Sequence, residues 1–258
     1  MKFPERCDLW GNVPVTTVPS LTGLLGGDIT GGLWESPLEE GEMLLDLGTN
    51  CEMVFCTGSG LVGTSAAAGP AFEGAGISCG SRAVAGAIDR YAADGFTVIG
   101  GSSPRSICGS GLVDFLAVER RKGTLNRFGR FTSGAALFEI APGVSVTEED
   151  IAELLKAKAA VSAAVRSLER HCGAKVKKLK LAGGFSRYLN LDSARAIGLL
   201  PPLPATLCGN LSLAGAARCA VSPGEGEQMA ETAEKIRELH LNDVPGFEED
   251  FVSGLLLP

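Results

Sequence analysis

The chain reads as an α/β protein, and three observations carry that reading. Short apolar runs that suit buried strands alternate with helical runs, without an internal repeat or a low-complexity tract. One helical run, residues 148–172, is long, well capped and set between two groups of strand-like segments. Glycine is about twice as frequent as usual, 35 of 258 residues, with no collagen-like period, so the excess belongs to tight turns and close backbone approaches.

Taken in order, residues 1–41 are rich in Pro, Gly and Thr and form an entry segment, with a short strand at 13–18 and a helix after Ser20. Residues 43–47 are a compact apolar run that fits a buried strand. Residues 52–55 make a second strand, 57–60 a turn and 61–65 a third strand, so the three form a meander. Helices are expected at 83–93, ending near Gly95, and at 111–122, ending at Gly123. The helix 148–172 starts at the N-cap Thr147, with Asp150 three residues later and Ile151, Leu154, Leu155, Val161, Val165 and Leu168 at helical spacing. A strand at 178–182 alternates Leu with Lys and is broken by Gly183 and Gly184. A strand at 205–208, a small-residue helix at 212–220, an amphipathic helix at 225–239 and a short tail at 247–257 complete the chain.

The balance of 23 basic and 30 acidic side chains leaves a net charge of −7, which argues against general binding to nucleic acid or anionic membrane. No segment has the roughly 18 consecutive apolar residues of a membrane helix, and the first residues lack the apolar core of a secretory signal. The eight cysteines are scattered, with no CxxC pair, and only His171 and His240 could join them. Reduced thiols in a cytoplasm are the expectation, and the histidines are given no role.

The strongest local signal is Asp46-Leu47-Gly48-Thr49-Asn50 between two strands. Gly48 lets the backbone approach a polyphosphate, Thr49 and Asn50 offer donors, and Asp46 can hold Mg²⁺ through water; a hairpin with a polar bend is the plainer alternative. The second is the strand ending in Gly183-Gly184-Phe185, a side-chain-free surface against which a nucleoside can lie, or again simply a turn. Residues 107–111 read as a packing turn sooner than an anion-facing helix start, and Asp28 as a helix N-cap. Arg120-Arg121-Lys122 and the lysines at 175–180 read as solvated faces.

The order of these motifs resembles the actin-like ATPase superfamily of sugar kinases and heat-shock ATPases. More closely, the chain is similar to the ATP-dependent reductive activators of corrinoid proteins. LLGGD at 24–28, LLDLGTNCE at 44–52, AAAGPAFEGAGISCG at 66–80, ICGSGLVD at 107–114, the stretch 181–200 and GNLSLAGA at 209–216 carry the match. The resemblance implies an actin-like, RNase H-like ATPase lobe: a mixed sheet with flanking helices, the lobe at 42–258 and an insertion at about 81–175. It implies ATP and Mg²⁺ as cofactors and a corrinoid protein as partner. Glu73 matches an acidic position near the superfamily's ATP cleft, there to order Mg²⁺ or the attacking water, or else to cap a helix beginning after it.

The family's first lobe opens with its own Asp-x-Gly-Thr-Thr hairpin, which does not precede Asp46, and the cysteines are not clustered as an iron–sulfur centre needs. The expectation is a second lobe alone, without its own iron–sulfur cluster, that acts with a ferredoxin and first-lobe half. The other readings are a non-catalytic interaction module, able to pair with a second copy, and a small-molecule kinase of the same superfamily.

Overall fold

A computed structural model describes residues 17–20 and 23–258. Most of the expected strand at 13–18 lies outside the described residues, and 17–18 are not in a strand. The first helix, α1, is Gly27–Glu35. The meander follows as β1 (Glu42–Leu47), β2 (Cys51–Thr57) and β3 (Gly60–Ala66). A second group comprises β4 (Gly80–Ser81), β5 (Ala87–Ala92), β6 (Gly95–Val98) and β7 (Ser106–Cys108), leading into α2 (Gly109–Lys122). The hairpin of β8 (Leu137–Ala141) and β9 (Val144–Thr147) then delivers α3 (Glu148–Cys172). After it come β10 (Lys178–Ala182), α4 (Leu191–Ala196), β11 (Ala205–Gly209) and α5 (Leu211–Val221). The chain closes with α6 (Gly226–Glu234), β12 (Ile236–Glu238) and α7 (Phe247–Gly254).

The main sheet has the order β11-β10-β1-β2-β3-β12. β1, β2 and β3 are antiparallel, whereas β10 runs parallel to β1, β11 to β10 and β12 to β3. The two faces are both covered, which is why β1 reads as a continuous apolar run. Met43, Leu45 and Leu47 face the larger core with Phe115, Ile151 and Leu154, while Leu44 and Val54 pack with Ile29, Leu33 and Leu211 from α1 and α5. The smaller sheet, β4-β7-β5-β6, stands apart from the main one.

α3 starts where the sequence predicts. The Thr147 hydroxyl accepts from the Asp150 N–H, the Asp150 carboxylate accepts from the Thr147 N–H, and Gly173 ends the helix in the left-handed conformation.

Three expectations need correction. Residues 83–93 are not a helix: Gly86, at φ +90°, breaks the run, and Ala87–Ala92 form β5. The run ends in a hairpin at Ala93-Asp94, and the following Phe-Thr-Val stretch pairs back as β6. The helix expected at 225–239 stops at Glu234, because Ile236–Glu238 gain ladder bonds beside β3 as β12. The tail at 247–257 contains α7, which packs along α3 and is held there by Arg166 and Arg170 pairing with Asp250.

Candidate functional site

β1 ends in a tight bend, in which the Gly48 N–H donates to the Asn50 carbonyl at 3.1 Å. Thr49 and Asn50 are exposed at its tip. The Thr49 hydroxyl donates to the Glu73 carboxylate, which fastens the bend to the short turn Pro70–Glu73 after β3. No helix follows Glu73, so it is not an N-cap; Gly74 beyond it turns left-handed.

Asp46 points to the sheet face that α1 and α5 cover, opposite Leu47. The Ser212 hydroxyl, at the start of α5, donates to the Asp46 carboxylate at 3.4 Å. Burial first, and then the negative charge of Asp28, hold the Asp46 carboxyl above the ordinary carboxylate range, while the Ser212 hydroxyl works the other way. Glu52 lies directly across the ladder from Asp46 and is pushed up by burial, against the Ser65 hydroxyl, with Asp28 adding to the rise. Like charges in register repel, so this corner carries an uncompensated negative field that suits a cation. Among the described residues no three His, Cys, Asp or Glu side chains form a metal cage.

Gly183 closes the space between the two motifs. A Cβ there would lie 2.6 Å from Asp46 Oδ1 and 2.6 Å from the Leu47 carbonyl, and its φ of +92° is left-handed. The next residue differs: a Cβ on Gly184 would meet nothing within 4 Å.

Beyond Gly184 a cleft of about 380 Å³ opens between the bends of the main sheet and the ends of the smaller one. Leu47, Gly48, Glu73, Gly184 and Phe185 line one side, and Ser81, Arg82, Ala83, Cys108, Gly109 and Ser110 the other. Phe185 stacks on Phe72 with centroids 5.3 Å apart and planes 12° from parallel. α2 starts hard against that pair: a Cβ on Gly109 would fall 1.9 Å from the Phe72 carbonyl oxygen.

The structure therefore brings Gly48, Glu73, Gly184 and Phe185 onto one cleft, whereas Asp46, Thr49, Asn50 and Gly183 are not among the residues that line it. Of residues 107–111, Gly109 and Gly111 pack closely on neighbouring backbone, and Cys108, Gly109 and Ser110 also line the cleft. Sequence reasoning missed Ser81, Arg82, Tyr188 and Ser212, and took Asp28 for an N-cap. Gly26 is the N-cap of α1, and Asp28 sits in its first turn, where its carboxylate accepts from the Ile29 N–H. Ser212, at the start of the small-residue helix expected at 212–220, was the one legible hint; Arg82 carried none.

Sheet order, crossing helices and cleft together define an ASKHA-type, actin-like domain. Comparison with known proteins narrows this. Residues 40–258 match the family described as the C-terminal domain of RACo, the ASKHA domain, and the chain belongs to that family. It is 31% identical over 239 residues to a corrinoid activation enzyme, RamQ, of Eubacterium limosum, covering 78% of this chain and 40% of that protein. It is 28% identical over 270 residues to a [Co(II) methylated amine-specific corrinoid protein] reductase of Methanosarcina barkeri, covering 89% of this chain and 48% of that one. A solved reductive activator for a corrinoid, iron–sulfur protein superposes with a TM-score of 0.85 at 33% identity, over 93% of this chain and 44% of the other. The chain thus spans less than half the length of these relatives. Among the described residues no helix is long and apolar enough to cross a membrane.

Proposed function

We propose that this chain is the ATP-binding lobe of a cytoplasmic reductive activator of corrinoid-dependent methyl-transfer proteins, coupling ATP to reduction of Co(II) corrinoid to Co(I). The observation that carries the proposal is a single cleft on which the glycine bend after β1 and the glycine pair after β10 meet. The names of the relatives supply the corrinoid protein as partner.

In this reading residues 42–258 are the lobe, entered through 1–41. Gly48, Thr49 and Asn50 take the phosphates, and Gly183, Gly184 and Phe185 the nucleoside. Asp46 would hold Mg²⁺ with phosphate oxygens and water completing the shell, in keeping with the ion's reluctance to dehydrate. When bound, Mg²⁺ neutralises charge on the phosphate oxygens. The donor set fits, because a half-buried carboxylate with a single hydroxyl partner and a repelling neighbour gains from a cation. Glu73, anchored by Thr49, is placed to order water at the phosphate end. The electron would come from an iron–sulfur centre outside this lobe, and a facing lobe would complete the phosphate site.

Calorimetric titration of Mg-ATP into the chain tests the reading. Binding tighter than about 100 μM, roughly −5.5 kcal/mol, is expected, with a loss of at least about tenfold in Asp46→Ala. No heat at millimolar ATP would sink it.

A further inference from the structure

We propose that Arg82 holds the base of the nucleotide, laying its guanidinium over a purine whose other face rests on the bare backbone at Gly184. The inference rests on the nucleotide reading above and names the side chain that fixes the nucleoside end.

The cleft has two unlike sides. On the main-sheet side Gly48 and the carboxylate of Glu73 mark the phosphate end in that reading, and Gly184 and Phe185 the nucleoside end. Arg82 enters from the other side, directly after β4 of the smaller sheet. Among the described residues it is the only cation that lines the cleft, and its side chain makes no ion pair.

The two serine hydroxyls at that end are already engaged. The Ser81 hydroxyl lies 2.7 Å from that of Ser106, and the Ser110 hydroxyl donates to the Asp89 carbonyl at 2.8 Å. Tyr188 has the Arg187 guanidinium 5.5 Å from its ring. What remains for a ligand is one unpaired planar cation, an open strip of backbone at Gly184, and walls from Leu47, Phe72, Phe185 and the exposed Tyr188. That combination suits a flat aromatic heterocycle: a guanidinium is attracted to a π face and stacks where an ammonium does not. A volume of about 380 Å³ is on the scale of a small-ligand pocket. A phosphate-binding Arg82 would instead donate its N–H groups to phosphate oxygens, indifferent to the base.

Titration of the full chain with Mg-ATP and, separately, with magnesium tripolyphosphate distinguishes these roles. Arg82 is exposed, so its replacement leaves the fold intact. R82A is expected to weaken ATP about fivefold to tenfold and to leave tripolyphosphate within about twofold, and R82K is expected not to restore ATP affinity. R82A that binds ATP as tightly as the parent, R82A that loses both ligands equally, or R82K that binds like the parent overturns the assignment and leaves the nucleotide reading standing. A parent chain that binds neither ligand overturns both.

Discussion

Gly183 and Gly184 are adjacent in sequence, yet the structure gives them opposite tasks, and Ala at each position separates the two. At Gly183 the φ of +92° costs an L-residue about 1–2 kcal/mol. The new Cβ would also press to 2.6 Å on Asp46 Oδ1 and on the Leu47 carbonyl, and to 3.1 Å on the Leu47 nitrogen. Two of those three atoms are backbone of β1, which is locked between β2 and β10, so relief requires the sheet itself to shift. Overpacking of this kind costs about 1–3 kcal/mol. Together these give about 3 kcal/mol for Gly183→Ala, and a fall in Tm of about 6–12 °C for a chain of this size. At Gly184 neither term applies, since the Cβ meets nothing within 4 Å. Gly184→Ala should stay within about 0.5 kcal/mol of the parent in stability while its methyl group narrows the cleft and weakens Mg-ATP. Thermal unfolding followed by circular dichroism, with calorimetry of ATP on both variants, reads the contrast. Equal loss of stability in the two, or a Gly184→Ala variant that binds ATP like the parent, would refute the division of labour.

Two further outcomes concern pH. Glu42 sits between Lys178 and Lys180, at 2.8 and 3.1 Å, and also accepts from the Glu39 N–H. Burial opposes its ionisation, but these partners prevail and lower its pKa from 4.5 to about 2. Allowing for the solvent exposure of Lys178, the shift corresponds to a contribution on the order of 2 kcal/mol. A carboxyl whose folded pKa is depressed stabilises above its unfolded value and loses that contribution as pH falls through the folded one. Glu42→Gln should therefore be less stable at neutral pH, and the difference should fade from pH 4.5 through about 2, as read from denaturant unfolding at a series of pH values. Glu52 has the opposite sign: burial and Asp28 raise its pKa, so a penalty appears as pH rises from 4.5. Glu52→Gln should unfold at a higher temperature than the parent at pH 7 and lose that advantage in acid; an unchanged Tm at pH 7 would count against the repulsive corner.

Much of the site was legible because its parts are local. Asp46 through Asn50 is a strand end and a bend, and Gly183 through Phe185 a strand end and a break; both patterns need only neighbours in sequence. The long α3 was equally legible from its cap and its period. The failures arose where local preference and long-range pairing disagree. The alanine-rich run at 83–93 has ample helix propensity, but Ile88 and Tyr91 gain more beside β6 and β7 and against Phe115. Ile236–Glu238 extended a helical pattern until β3 offered an open edge.

By itself, then, the order of residues determined the alternation of strands and helices, the two glycine breaks and the candidate phosphate and nucleoside groups, because each depends on chain geometry over a few residues. Only the folded arrangement decided that the breaks share one cleft, that Asp28 and Glu52 crowd Asp46, and that Arg82 lines the same cleft as Gly184. Those relations join residues from six to more than a hundred positions apart, and charge repulsion, burial and steric closeness act through space, where spacing along the chain carries no record of them.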